Sequence, residues 1–253
     1  MQLSAVDWCL YSAHYAPADY YHALAAMGIH AVEMVAPEHQ ACARAAGLSI
    51  LNIAGPGMAH GLNDAKNHHS LLPQISQLIF QARDAGVAQV ILFSGNRAGR
   101  SDIEGAACCI DALRCLAPLA ASAGVTLLFE VLNSFDHPDY QADNTAFGVR
   151  VVEWVGSPSV RLLYDIYHMY RQREDVAADL VQYMEFIGHI HLAQSPRRSA
   201  PLTGAPIDYA NLISLLRTAG YRGYLGLEFL PDGDALEELR AVCRYFHPLI
   251  TDQ

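Results

Sequence analysis

Four short apolar runs each end in a side chain that could bind a metal ion or move a proton. The terminal residues are, in chain order, Glu130 in LLFE, Asp165 in LLYD, His191 in HIH and Glu228 in LGLE. If each run is a β-strand, the terminal side chain shares a face with the residue two places before it, since strand side chains alternate. The pattern therefore predicts four polar groups that point the same way at four strand ends.

The types of these four side chains indicate a divalent metal site. Three carboxylates in one low-dielectric site would repel one another, and some would have to be protonated. A divalent cation removes that repulsion. Three oxygen ligands and one imidazole favour Mn²⁺, Mg²⁺ or Co²⁺, and Zn²⁺ also accepts such ligands. We therefore predict one divalent metal ion as the cofactor.

Each of these residues also has an ordinary structural interpretation when it is taken alone. A strand-end carboxylate such as Asp165 is often the N-cap of the following helix. A single histidine on an apolar strand is usually a core residue with satisfied hydrogen bonds. Four such residues on four successive strands favour the metal interpretation, because this kind of architecture keeps its chemistry at strand ends.

A repeated pattern predicts the elements that position these groups. An alanine-rich helix, a glycine and an apolar strand follow one another five times, at Gly28, Gly47, Gly86, Gly124 and Gly220. Each glycine lies where a helix commonly ends in a left-handed residue. The strands are nearly continuous apolar runs, which is typical of parallel strands covered by helices on both faces.

The number of strands predicts the fold class. Helical patterns cover residues 70–85, Asp102–Ala123 and Tyr209–Thr218. Eight strands are expected to end near Trp8, Met34, Ile53, Phe93, Glu130, Asp165, His191 and Glu228. Eight strand–helix units in 253 residues predict an α/β fold, a (β/α)8 TIM barrel, with its active site at the carboxyl ends of the strands. A doubly wound open sheet is the alternative, but no strand–GxGxxG–helix opening supports it.

Because no linker is evident, residues 1–253 are predicted to form a single domain.

The composition restricts the partners. Sixteen basic and 26 acidic residues give a formal charge of −10, which argues against nucleic acid and against an anionic membrane surface. The N-terminus lacks the pattern of a signal peptide, and the long uncharged stretches are too short or too interrupted to span a membrane. Six scattered cysteines without a CxxC pair suit reduced thiols in a cytoplasmic protein.

The second half of the chain resembles a known family. The segment EVLNSFDHP from Glu130 resembles the ENxFDxPG segment of hydroxypyruvate isomerase-like proteins, and DIYHM from Asp165 resembles their YDIYHMQ. GHIH and SPRR resemble parts of GHIQIADNPHR, and TGAPIDY with LEF resembles GTGEINY and the last strand. The resemblance is close across residues 124–230 and looser before them. It extends to the wider xylose-isomerase-like barrels, which include tagatose and psicose epimerases.

This resemblance implies roles for individual residues. It implies that the metal ligands are Glu130, Asp165, His191 and Glu228, and that Glu130 and Glu228 also move the substrate's proton. It matches His168 and Arg197 to residues that contact substrate in the epimerases, although Arg197 could instead be a solvated loop arginine.

The departures from the family concern the substrate. Where hydroxypyruvate isomerases have Gln, this chain has His191, as the epimerases do, and Ala205 replaces the Glu of GTGE.

We expect a metal-dependent isomerase or epimerase that acts through a metal-stabilised enediolate on a hydroxypyruvate-like keto acid or a short sugar. A lyase of the inosose or dehydroshikimate dehydratase type, or a non-catalytic sugar-binding relative, is the alternative. The expected partner is a small sugar or sugar acid, with no nucleic acid and no membrane, and the chain is expected to form a dimer or tetramer.

Overall fold

A computed structural model of the protein describes residues 1–204 and 206–251, so Ala205 lies outside the described residues. These residues form two compact units. The first unit contains Met1–Leu51, Val176–Met184 and the chain from Ile190 onwards, and the second contains Asn52–Asp175 and Glu185–His189. The prediction of a single domain stays a prediction.

The first unit is built on parallel strands with helices between them. The strands are β1 (Gln2–Val6), β2 (Ala31–Glu33), β3 (Ser49–Ile50), β9 (Tyr224–Leu227) and the part of β8 (Ile187–Leu192) from Ile190. Their order in the sheet is β3, β2, β1, β9, β8. The α-helices are α1 (Asp7–Leu10), α2 (Pro17–Ala26), α3 (Gln40–Ala45), α8 (Val176–Gln182), α9 (Tyr209–Thr218) and α10 (Ala235–Ile250).

The second unit repeats the same alternation. Its strands are β4 (Asn52–Ala54), β5 (Gln89–Leu92), β6 (Thr126–Val131) and β7 (Val160–Asp165), which pair in parallel in that order. Its helices are α4 (Ala65–Ala85), α5 (Asp102–Ala123), α6 (Thr145–Val155) and α7 (Ile166–Arg171). Leu127, Leu128 and Phe129 of β6 are fully buried, which confirms that both faces of this strand are covered.

The element boundaries match the sequence patterns closely, with one division that was not predicted. Helices α5 and α9 have the predicted bounds, and α4 begins earlier than predicted because Asp64 caps it by accepting a hydrogen bond from the Lys66 amide at 3.0 Å. The single strand predicted to end near Ile53 is two strands. β3 pairs with β2 and β4 pairs with β5, and Leu51 separates them.

Helix α5 is the one helix among the described residues that is long and apolar enough to cross a membrane by length and composition. One side of this helix is packed into the second unit, where residues such as Cys109, Ala112, Leu113 and Ala120 are fully buried. A helix that buries its apolar face in this way has the pattern of a core helix in a globular protein.

The five glycines predicted to end helices all have left-handed backbones, with φ between 65° and 87°. Gly95, in the loop after β5, also has a positive φ of 91°, and it lies against the backbone of Gly61 in the loop after β4. A Cβ atom at Gly95 would lie 2.3 Å from the Gly61 amide nitrogen. This backbone contact holds together two loops at the carboxyl ends of neighbouring strands.

Substitution at Gly95 should therefore be far more costly than at a free left-handed glycine. Gly86→Ala is the matched control, since its φ is 65° and a Cβ there would meet no atom within 4 Å. We expect Gly86→Ala to lower the free energy of unfolding by about 1 kcal/mol. Gly95→Ala should lower it by more than about 2 kcal/mol, because a backbone clash is added to the strain. Equal urea unfolding midpoints for the two variants would contradict this account of the loop contact.

Candidate active site

Glu228, directly after β9, is a buried carboxylate that is surrounded by donors. Its side chain is 4% exposed. Its Oε1 accepts a hydrogen bond from the Trp8 indole N–H at 2.7 Å, and its Oε2 accepts one from Arg198 Nη2 at 2.5 Å. Nδ1 of His191 lies 2.8 Å from the same Oε2. Both carboxylate oxygens therefore face positive or donor groups.

His191, on β8, lies between two carboxylates. While Nδ1 faces Glu228, Nε2 lies 3.0 Å from Oε2 of Glu33, the last residue of β2. The other oxygen of Glu33 accepts a hydrogen bond from the Ser4 hydroxyl at 2.5 Å. His191 and Glu33 are fully buried, so this is an ion-paired chain of side chains shielded from water.

The charges in this cluster stabilise one another. Burial by itself would raise the pKa of Glu228, but Arg198 and His191 together hold that pKa well below its usual value. Burial would lower the pKa of His191, but Glu228 and Glu33 raise it well above its ordinary range. Glu228 is therefore ionised, and a weak base, in this arrangement.

In the second unit, Glu130 and Asp165 lie at the ends of the neighbouring strands β6 and β7. In the register of these strands, Glu130 is opposite Leu163, two residues before Asp165. Both carboxylates are buried. Asp165 is also the N-cap of α7, since its Oδ1 accepts a hydrogen bond from the His168 amide at 3.1 Å. The cap interpretation of Asp165 is thus confirmed, and it uses only one of the two oxygens.

The contacts of His168 determine which ring nitrogen carries its proton. Nδ1 accepts a hydrogen bond from the backbone N–H of Asn133 at 3.1 Å and lies 2.6 Å from the Asn133 side-chain nitrogen. A nitrogen that accepts from a backbone amide has no proton of its own. The neutral ring therefore carries its proton on Nε2, which lies 3.6 Å from Oδ2 of Asp165. His168 is fully buried and can donate a hydrogen bond from Nε2.

The segment NSFD forms the support for His168. Oδ1 of Asn133 accepts hydrogen bonds from the amides of Phe135 and Asp136 at 3.0 and 2.8 Å. Oδ2 of Asp136 in turn accepts hydrogen bonds from the side-chain N–H of Asn133 and from the Tyr167 hydroxyl. Although burial acts to raise the pKa of Asp136, these two donors and Arg171 lower it below its usual value. The NSFD part of the motif therefore orients the His168 ring.

The structure places two adjacent arginines in different environments, whereas the resemblance in sequence singled out only Arg197. Arg197 has a side chain that is 75% exposed, 3.3 Å from the exposed Asp232. Arg198 has a side chain that is 13% exposed, donates to Glu228 and lies over the Trp8 ring. Arg197 thus lies in the environment of a solvated loop arginine, and Arg198 is the arginine brought to Glu228.

Three residues of this arrangement were missed in the sequence: Arg198, Trp8 and Glu33. The only sequence signal for Arg198 was its place beside Arg197 in SPRR. Trp8 is itself one of the residues where a strand was expected to end, and Glu33 precedes another, Met34. Neither its type nor its spacing distinguished either residue from a packing residue.

The ends of the strands in both units carry buried side chains that could hold a metal ion. The donors are carboxylate oxygens and imidazole nitrogens: Glu33, His191 and Glu228 in the first unit, and Glu130 and Asp165 in the second. Such donors suit hard or borderline divalent ions. The side-chain chemistry therefore fits the predicted kind of cofactor.

Comparison with known families and proteins gives consistent matches. The family described as xylose isomerase-like TIM barrel matches residues 21–246. The chain is 30% identical over 158 residues to the hydroxypyruvate isomerase of Escherichia coli (strain K12), covering 62% of this chain and 61% of that protein. It is 35% identical over 112 residues to the 2-oxo-tetronate isomerase of Cupriavidus necator, covering 44% and 43%. The chain thus spans less than two thirds of the length of these two relatives.

Solved structures match over nearly the whole chain. An AP endonuclease, family 2, from Brucella melitensis has a TM-score of 0.86 at 21% identity, covering 98% of this chain and 99% of that one. D-psicose 3-epimerase with D-tagatose from Clostridium cellulolyticum H10 has a TM-score of 0.82 at 16% identity, with both chains covered completely. At these identities the likeness concerns the fold alone. With the family match, it confirms the predicted α/β (β/α)8 TIM barrel.

Asp7, which precedes Trp8, is a second buried carboxylate in the first unit. Its Oδ2 accepts a hydrogen bond from the Tyr21 hydroxyl at 2.5 Å, and its Oδ1 has no hydrogen-bond partner among the described residues. Burial raises the pKa of Asp7 from 3.8 to about 6, although Tyr21 and the nearby His39 act to lower it.

The raised pKa of Asp7 predicts a loss of stability with rising pH. A carboxyl group whose pKa is higher in the folded chain stabilises fully below about pH 4 and loses that contribution as the pH rises through about 6. Asp7→Asn removes this titration. Between pH 4 and pH 8, the variant should gain up to about 3 kcal/mol of unfolding free energy relative to the unmodified protein. Urea unfolding at both pH values tests this, with exposed Asp84→Asn as the control, and parallel pH profiles for the Asp7 variant and the unmodified protein would contradict it.

Proposed function

Because the chain belongs to the xylose isomerase-like TIM barrel family, we propose that it is a metal-dependent isomerase or epimerase of a small hydroxy-carbonyl compound. The proposed substrate class is a hydroxypyruvate-like keto acid or a short sugar. The names of the two relatives, a hydroxypyruvate isomerase and a 2-oxo-tetronate isomerase, support this class. The observation that carries the proposal is the buried, ionised Glu228, which is held between His191 and Arg198.

We propose that Glu130, Asp165, His191 and Glu228 hold one divalent ion. All four are buried, and as a group they offer three carboxylate oxygens and one imidazole nitrogen. Mn²⁺, Mg²⁺ and Co²⁺ suit this set of donors, and Zn²⁺ is a further candidate. When bound, such an ion supplies Lewis-acid polarisation of a carbonyl oxygen, which acidifies the neighbouring C–H bond.

The side chains of the protein then perform the proton transfer. Glu228 or Glu130 removes the proton from the hydroxyl-bearing carbon, and the same or the other carboxylate returns a proton at the neighbouring carbon or on the other face. Glu228 is a weak base because Arg198 and His191 hold its pKa low, so the reaction needs a substrate proton that has been acidified. His168 donates a hydrogen bond from Nε2 to a substrate oxygen, because Asn133 occupies its Nδ1.

The location, the partner and the assembly of the protein are further parts of this proposal. The six cysteines are free thiols, in keeping with the expected cytoplasmic location. A sugar or sugar acid remains the expected partner, and a dimer or tetramer remains the expected assembly.

Solvent deuterium exchange tests the proposed reaction. Purified protein is incubated in D₂O with Mn²⁺ and a panel of three- to six-carbon keto acids and ketoses. At least one of these substrates should gain deuterium at the carbon next to its carbonyl group. Mass spectrometry would separate an isomerase, which conserves the substrate's composition, from a dehydratase, which loses water. Glu228→Gln should reduce the exchange by about 10²- to 10⁴-fold, since it removes a general base. Retained exchange would remove Glu228 from proton transfer, and a protein that binds no divalent ion would refute the proposed site.

The two adjacent arginines provide a matched pair of variants. Arg198→Ala should lower kcat/KM by about 10- to 100-fold, because a charge-assisted hydrogen bond to a buried carboxylate is worth about 1.5 to 3 kcal/mol. Arg197→Ala should lower it by less than about fivefold, since exposed ion pairs contribute about 1 kcal/mol or less. The opposite order would support the sequence-based assignment of Arg197 as the substrate-binding arginine.

A further inference from the structure

Glu33 is fully buried at the end of β2 and has no part in the proposed proton transfer. A buried carboxylate is costly unless it is paired and hydrogen-bonded. Within its unit, Glu33 accepts a hydrogen bond from the Ser4 hydroxyl on one oxygen, and its other oxygen faces Nε2 of His191. The ring of His191 therefore supplies the charge that pairs with Glu33, and a neutral hydroxyl supplies the second hydrogen bond.

The geometry divides the two nitrogens of His191 between two carboxylates. Nε2 lies 3.0 Å from Glu33 and Nδ1 lies 2.8 Å from Glu228. An ionised carboxylate only accepts hydrogen bonds, so the nitrogen that faces Glu33 carries a proton. The same rule puts a proton on Nδ1, which faces Glu228, when the ring carries both protons; an ion held by Glu228 would take the place of that proton and leave the Nε2 proton with Glu33.

We infer that Glu33 is a positioning residue that acts through His191. It keeps Nε2 protonated, fixes the plane of the ring, and leaves Nδ1 as the nitrogen that binds the divalent ion. The inference rests on the proposed function, because it assumes that His191 is a metal ligand. A carboxylate that accepts from the other nitrogen of a ligating histidine raises the basicity of that ligand, and removing such a partner typically weakens metal binding by about 10- to 100-fold.

The position of Ser4 indicates that Glu33 is itself held in place. Ser4 and Glu33 lie on the adjacent strands β1 and β2, and the Ser4 hydroxyl donates to the Glu33 oxygen that does not face His191. The chain from Ser4 through Glu33 to His191 thus connects three strand positions. Each of these three groups is fully buried, and the low local dielectric strengthens the hydrogen bonds between them.

Calorimetric titration of metal-free protein with Mn²⁺ tests this role. Glu33→Gln keeps the size of the side chain but removes the charge, and we expect the dissociation constant to rise by about 10- to 100-fold. Glu33→Asp, which keeps the carboxylate, should recover part of that loss. Glu104→Gln is the control for loss of one glutamate charge, because Glu104 belongs to the capping box of α5. Its dissociation constant should lie within about twofold of that of the unmodified protein.

A spectroscopic measurement on the unmodified protein makes the test independent of whether the variants fold. In nitrogen-15 histidine spectra of protein loaded with diamagnetic Zn²⁺, one ring should show Nε2 protonated and Nδ1 bound to the ion, and Glu33→Gln should alter that signature. His191 bound through Nε2, or an unchanged Mn²⁺ affinity in Glu33→Gln, would overturn the role of Glu33 and leave the proposed function standing. A protein that binds neither ion would overturn the metal-dependent function and this inference together. Tight metal binding without deuterium exchange would refute the isomerase activity alone.

Discussion

The burial of the Glu228 carboxylate is the constraint on which the first unit depends. Moving an ionised carboxylate out of water costs several kcal/mol, and only close, well-oriented partners repay that cost. Here the partners come from separate parts of the chain: Trp8 from the helix after β1, Arg198 from the loop after β8, and His191 from β8 itself. The positions of these segments are therefore coupled to a single charge. The same charge is the one that the proposed reaction needs.

The contacts that hold Glu228 in place also make it a weaker base. Arg198 and His191 keep Glu228 ionised at any ordinary pH, since they hold its pKa well below its usual range. A carboxylate of this kind removes a proton only from a substrate that has been made more acidic, which is consistent with a requirement for a Lewis acid. The proposed chemistry and the electrostatics of Glu228 thus both require an acidified substrate proton.

In the second unit, backbone hydrogen bonds help to position Asp165 and His168. Asp165 accepts from the first turn of α7, and His168 accepts from the amide of Asn133. These bonds fix the direction of the Asp165 carboxylate and the tautomer of His168 at the same time. An N-cap and a metal ligand are compatible roles for Asp165, because the cap uses Oδ1, and Oδ2, which lies 3.6 Å from Nε2 of His168, is the second carboxylate oxygen. The apparent choice between the two interpretations in the sequence was therefore not a real alternative.

The sequence by itself determined the repeated strand–helix units, the left-handed glycines and the strand ends that carry Glu130, Asp165, His191 and Glu228. It could do so because hydrophobic periodicity and helix-ending glycines are local signals. Only the tertiary structure decided that the third strand divides at Leu51, that Arg198 rather than Arg197 contacts Glu228, and that Trp8 and Glu33 complete the cluster. Each of these depends on which distant segments meet, and two adjacent arginines on a loop have the same type and nearly the same position. The direction of their side chains is set by the buried charge that one of them must pair with, and that partner lies 30 residues away along the chain.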